Sequence, residues 1–252
     1  MSEPLLARIL YIEDDTVDQM VFTRMVKKSG NPFTYQIAGS VGEAKDIISH
    51  NSFDLIITDF CLGDGTAKDV VKWTTGIPTI LASGSDDNEI INRANDIGAN
   101  DYLTKPFDFE HLSNIIRKIL NNHSVMAPAA IKTNFKSNSA FNLNYLFEIA
   151  GGDKDFVKEI ITLFITNTPQ TLREIQSYHS IKDYKAVKDA AHKYKSSIKI
   201  LGHAELGEIA ATIEKYALDP DKTSQIRDLL EKFDHDCRQF AENLSEELLK
   251  LN

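Results

Sequence analysis

Cysteine is nearly absent. The 252 residues hold only Cys61 and Cys237, far apart and without metal-ligand spacing. That excludes a disulfide framework and a structural zinc site, and it fits a reducing compartment. Long apolar runs are missing as well. No stretch approaches the roughly 18 residues of a membrane span. The opening MSEPLLARILYIEDD has neither the basic segment nor the apolar core of an export signal. A cytoplasmic location without membrane contact is therefore expected. Basic charge is also short. Lys and Arg number 28 against 37 Asp and Glu, for a net charge of −9. No basic cluster is interleaved with aromatics, so nucleic acid is not an expected partner.

What is present is the make-up of a globular protein, 42% hydrophobic and 26% charged. Residues 1–122 alternate short β-rich runs (7–12, 33–38, 54–59, 78–83, 101–104) with helical patterns near 16–29, 42–50, 65–73, 87–97 and 108–121. Strands separated by helices need crossover connections, which predicts an α/β domain with a five-stranded parallel sheet. The third and fourth runs are almost continuously apolar, as strands covered on both faces are. Periodicity then stops over 123–140, HSVMAPAAIKTNFKSNSA, which reads as a linker. Beyond it, 141–252 carries no strand pattern. Helices are expected near 142–150, 153–167, 169–180, 183–201, 203–218 and 222–250, an antiparallel all-α bundle. Gly202 stands where a helix stop is wanted.

In a parallel sheet, ligands gather at the carboxyl ends of the strands. Those ends carry Glu13, Asp14 and Asp15, then Asp59, Ser83 and Lys105. Taken singly, each has an ordinary explanation: an aspartate caps a helix, a serine starts a turn, a lysine sits in a loop. All of them at the right strand ends is a different matter. Converging carboxylates repel one another unless a cation joins them, and Mg²⁺ suits one or two carboxylates and several waters. With a lysine and a hydroxyl added, the set matches the oxygens of a phosphoryl group better than it matches hydrolytic acid–base work.

The segments LYIEDD, DLIITDFCLGDG, ILASGSDD and DYLTKPFD, in this order and spacing, resemble the signature segments of response-regulator receiver domains. The resemblance implies a flavodoxin-like strand order, Asp59 as phosphoacceptor, and Mg²⁺ held by Asp14, Asp59 and the Cys61 backbone carbonyl, with Glu13 acting through water. It implies Ser83 and Lys105 on the phosphoryl oxygens, Ser83 and Tyr102 as the switch pair, and a cis Lys105–Pro106 peptide. Two departures from the family pattern stand out. Gly63 replaces a common proline and Gly84 a common alanine, which bears on loop stiffness and phosphoryl lifetime. Asp15 leaves the acidic register open by one residue, and Glu13 with Asp14 is the register adopted.

In the bundle, Val187, Ala191, Tyr194, Ile198 and Leu201 form an apolar seam. His192 falls about 140° from it on a helical projection, in company with Lys185, Lys188, Lys195, Ser196 and Lys199. An exposed histidine in a basic field is expected. The stretch AHKYKSSIKILG resembles the phosphohistidine segment of histidine-containing phosphotransfer (HPt) domains, and FNLNYLFEIAGGDKDFVKEIITLFI resembles their leading helices. The resemblance implies a four-helix bundle phosphorylated at His192. Ser196 stands where the family often has glycine. Lys195, one turn from His192, is suited to attract phosphoryl oxygens. The expectation is a non-enzymatic phosphorelay protein without a kinase segment, served by an upstream histidine kinase or hybrid kinase. A receiver domain would dock at the His192 face. One rival is an interaction protein in which the receiver controls a bundle that binds its partner without phosphorylation of His192. The other is an Mg²⁺-dependent phosphatase, which usually needs a second aspartate where this chain has Cys61.

Overall fold

The computed structural model describes residues 7–30, 33–84, 87–120 and 141–251. The chain divides into two compact units between Thr133 and Asn134. The linker expected at 123–140 lies outside the described residues.

In the first unit the strands β1 (Arg8–Ile12), β2 (Thr34–Ala38), β3 (Leu55–Asp59), β6 (Thr79–Ser83) and β7 (Asp101–Thr104) form one sheet in the order β2-β1-β3-β6-β7. Every pairing is parallel. Side chains alternate across it, as period-two geometry requires. Ile9, Tyr11, Leu55 and Ile57 pack on one face with Phe22, Met25 and Val26 of α1 (Thr16–Lys28) and Leu112, Ile115 and Ile116 of α5 (Phe109–Leu120). On the opposite face Leu10, Ile12 and Ile56 meet Ala44 of α2 (Val41–His50) and Val70 of α3 (Ala67–Trp73), while Leu81 meets Ile90 and Ala94 of α4 (Asp87–Ile97). The helical pattern expected to open at residue 65 starts later. Between β3 and α3 the chain makes a small antiparallel hairpin, β4 (Cys61–Leu62) with β5 (Gly65–Thr66).

The second unit is helical: α6 (Asn144–Ala150), then α7 (Lys154–Ser180), α8 (Tyr184–Ile200), α9 (Ala204–Ala217) and α10 (Ile226–Lys250). Apolar positions recur at spacings of three and four. Along α10 they are Ile226, Leu230, Phe233, Cys237, Phe240 and Leu244, the pattern of helices that bury one stripe. Phe164 of α7 stacks on Tyr194 of α8 at 5.1 Å and meets Phe240 of α10 at 5.2 Å. Two separate helices were expected at 153–167 and 169–180, but α7 runs through Pro169 without a break. Just before the proline, the Thr168 hydroxyl donates to the Phe164 carbonyl at 2.7 Å and also pairs with the Tyr194 hydroxyl. Packing on both sides outweighs the single backbone donor that proline removes.

Candidate functional sites

At the carboxyl end of the first sheet, β1 delivers Glu13 and β3 ends on Asp59; they are 0% and 4% exposed. After β7 the peptide bond Lys105–Pro106 is cis, and the Lys105 amide donates to the Ser83 carbonyl at 2.8 Å. The Lys105 ammonium is buried between carboxylates. It pairs with Glu13 and lies 2.9 Å from both Asp18 Oδ2 and Asp59 Oδ2. Asp59 Oδ1 accepts from the Phe60 amide. Tyr11 donates its hydroxyl to Glu13 Oε2 at 3.0 Å from inside the sheet.

The electrostatics follow from this crowding. Burial, together with the charges of Asp59 and Asp18, holds the Glu13 carboxyl well above the usual range, and Lys105 only partly opposes it. Burial alone would lower Lys105, but Asp18, Asp59 and Glu13 together hold it well above its ordinary value. One ammonium among three carboxylates leaves net negative charge in a buried site.

The remaining residues expected here occupy distinct places. Asp15 caps α1, its carboxylate accepting from Val17 and Asp18 amides at 2.8 and 3.0 Å. Asp14 is half-buried, and its Oδ2 would lie 3.5 Å from a Cβ added at Gly63. Ser83 is fully buried at the end of β6. Tyr102 is half-buried against the cluster of Leu81 and Ile90. Cys61 is half-buried in the hairpin. The loop that lacks proline at Gly63 is held by its neighbour: Asp64 accepts from the Val41 and Gly42 amides at 2.8 and 2.9 Å, joining the hairpin to the start of α2.

In the bundle, the face of α8 expected to be exposed is so only in part: Lys185 is exposed and Lys188 and Lys199 are half-buried, but its centre is covered. His192, Lys195 and Ser196 are 3%, 3% and 5% accessible, and Lys193 is the exposed residue of this stretch. The projection considered one seam, whereas α9 packs along the other flank. A Cβ at Gly207 would meet the Lys199 side chain at 3.5 Å. Two turns further along α9, Glu214 reaches His192 Nδ1 at 2.9 Å and Lys195 Nζ at 2.6 Å. Burial would raise the Glu214 carboxyl, but hydrogen bonds and charge from His192 and Lys195 prevail and hold it below its ordinary value.

Asp18 and Glu214 were both missed by the sequence reading, and both carry the same signal. Asp18 is in register with Val21, Phe22 and Met25 on the buried face of α1, and Glu214 with Leu206, Ala210 and Ala217 on α9. A carboxylate on an apolar seam needs a buried cation to meet it.

Family models match the two regions that hold these residues. Residues 9–117 match the response regulator receiver domain, and residues 159–248 match the Hpt domain. The chain is a receiver domain followed by an Hpt domain. The DNA-binding transcriptional regulator NtrC of Bradyrhizobium is 28% identical over 116 residues, covering 44% of this chain and 24% of that protein. The cell cycle transcriptional regulator CtrA of Caulobacter vibrioides is 29% identical over 131 residues, covering 50% and 55%. The chain thus matches about half the length of such relatives or less. A two-component response regulator from Clostridium difficile is similar in structure, with a TM-score of 0.41 and 26% identity over 47% of this chain and 99% of that one. Receiver and Hpt domains are phosphoacceptor and carrier modules, and together they support a role in phosphorelay signalling. Among the described residues, no helix is long and apolar enough to cross a membrane.

Proposed function

We propose that Asp59 accepts a phosphoryl group and that His192 carries one, with 1–122 acting as the receiver, 123–140 as the connecting segment and 141–252 as the carrier bundle. The observation that supports this most is Lys105 held beside Asp59 in a buried set of carboxylates. Attack by a carboxylate oxygen of Asp59 on phosphorus forms the acyl phosphate, and the donor leaves with the electron pair of the broken bond. Lys105 and Ser83 then neutralise and orient the phosphoryl oxygens.

The donor set fits a hard dication. Among the described residues no group of three histidine, cysteine or carboxylate side chains is placed to hold a metal ion, and on this proposal backbone and water complete the coordination. Mg²⁺, which keeps several waters, is suited to that. Asp14, Asp59 and the Cys61 carbonyl would hold it, with Glu13 acting through water. When bound, it supplies charge neutralisation for the phosphoryl oxygens.

At the second site the carboxylate of Glu214 fixes the proton on His192 Nδ1, which makes Nε2 the attacking atom. Lys195 steadies Glu214 and lies one helical turn from the imidazole. Because His192 is 3% exposed, transfer requires the docking receiver to uncover it. An upstream histidine or hybrid kinase would feed the relay.

Incubation of the full chain with a small radiolabelled phosphodonor, with and without Mg²⁺, tests the first site. An Mg²⁺-dependent, base-labile label that Asp59→Asn abolishes is expected. Undiminished base-labile label on the variant would refute Asp59 as acceptor.

A further inference from the structure

Lys105 serves three carboxylates, and only two of them, Glu13 and Asp59, belong to the strand-end set that the sequence singles out. The third is Asp18, 7% exposed, in the first turn of α1. Its Oδ2 and that of Asp59 each lie 2.9 Å from the same nitrogen, so the two carboxylates face each other across one ammonium less than about 6 Å apart, a range over which a like charge matters in a buried site. Asp18 cannot turn away to water, because it is buried in register with the Val21 and Phe22 face of α1.

Building on the reading of Asp59 as phosphoacceptor, we propose that Asp18 is a positioning residue that shortens the life of the aspartyl phosphate by competing for Lys105. Phosphorylation replaces the single charge on Asp59 with a phosphoryl group carrying about two, and Lys105 is the cation beside it. With Asp18 holding the same ammonium, the phosphoryl oxygens share their counter-charge and meet a fixed negative neighbour. The repulsion is relieved as the phosphoryl group leaves. In hydrolysis, a water oxygen bonds to phosphorus, the bond from phosphorus to the Asp59 oxygen breaks with its electron pair returning to the carboxylate, and the water proton passes to solvent. In transfer, the incoming nucleophile takes the place of water. A site with this competitor suits a station that passes its phosphoryl group on.

The test compares the half-life of the acyl phosphate on the full chain with that on Asp18→Asn and Asp18→Ser, each labelled by acetyl phosphate in Mg²⁺ and then freed of donor. Asn keeps an oxygen for Lys105 and removes the charge; Ser removes both the reach and the charge. The half-life is expected to lengthen about tenfold in Asp18→Asn and at least severalfold in Asp18→Ser, with thermal melting used to confirm that each variant is folded. If Asp18 merely held Lys105 in place, Ser would give poor labelling and a shorter half-life while Asn restored wild-type behaviour, and that result overturns the proposal, as does an unchanged half-life in both. Failure of the underlying reading looks different: wild type itself would then carry no label that depends on Asp59.

Discussion

Lys195 and Glu214 form a buried pair at 2.6 Å, and that changes what a substitution there does. On an exposed face, Lys195→Ala would leave stability untouched. Buried, it strips a carboxylate of its cation, at a cost of roughly 1–3 kcal/mol. Lys195→Ala is therefore expected to open α8 and α9 more readily in amide hydrogen exchange as well as to slow phosphoryl acceptance, and unaltered exchange would return Lys195 to the surface. Glu214 also sets a pH dependence. Its folded pKa lies below its unfolded value, so its contribution is present above the unfolded pKa and lost as pH falls through the folded one. Protection of α8 and α9 should decline on acidification below the ordinary carboxylate range, and Glu214→Gln should flatten that decline; an identical acid profile in the variant would contradict the pairing. At this scale the sequence was legible where a residue sits at a strand end, as Asp59 and Lys105 do, because the turn alone decides its direction. It was not legible where a neighbouring helix decides exposure, as for His192, since the way α9 folds back on α8 is set by packing and not by the local period of α8.

The hinge between α8 and α9 shows how much an element depends on one backbone position. Gly202 has φ +74° and donates to the Lys199 carbonyl at 3.0 Å, closing the helix as its place in the sequence predicts. It also accepts from the Asn142 amide at 3.1 Å, so the segment before α6 lies directly on it. A Cβ here would fall 1.9 Å from the Asn142 carbonyl oxygen. Gly202→Ala combines a left-handed backbone with a collision against main chain and should cost more than about 2 kcal/mol. A urea midpoint equal to wild type would show that the contact yields. The alternation of strand and helix, and the two-face packing of the sheet, were readable because they follow from local period. The hairpin at Cys61–Thr66 and the continuity of α7 through Pro169 were not. The first is set by Asp64 reaching α2, the second by Thr168 reaching Tyr194, and both partners are distant in sequence.

For the whole molecule, the proposed reading gives one chain two phosphoryl chemistries, an acyl phosphate at the end of the receiver sheet and a phosphoimidazole on an Hpt helix. The 18 residues of 123–140 reach at most about 60 Å when extended, which keeps the partners at a high effective concentration wherever orientation allows. Transfer within wild-type chains should accordingly proceed at a rate that does not change on dilution. The most direct test uses chains that hold one site each. His192→Gln protein is labelled on Asp59, freed of donor and mixed with Asp59→Asn protein. Label is expected to appear on the Asp59→Asn chain as an acid-labile, base-stable phosphohistidine that a further His192→Gln change removes. Loss of all label as inorganic phosphate, with none reaching His192 either in this mixture or in labelled wild-type protein, would contradict a relay between these two residues.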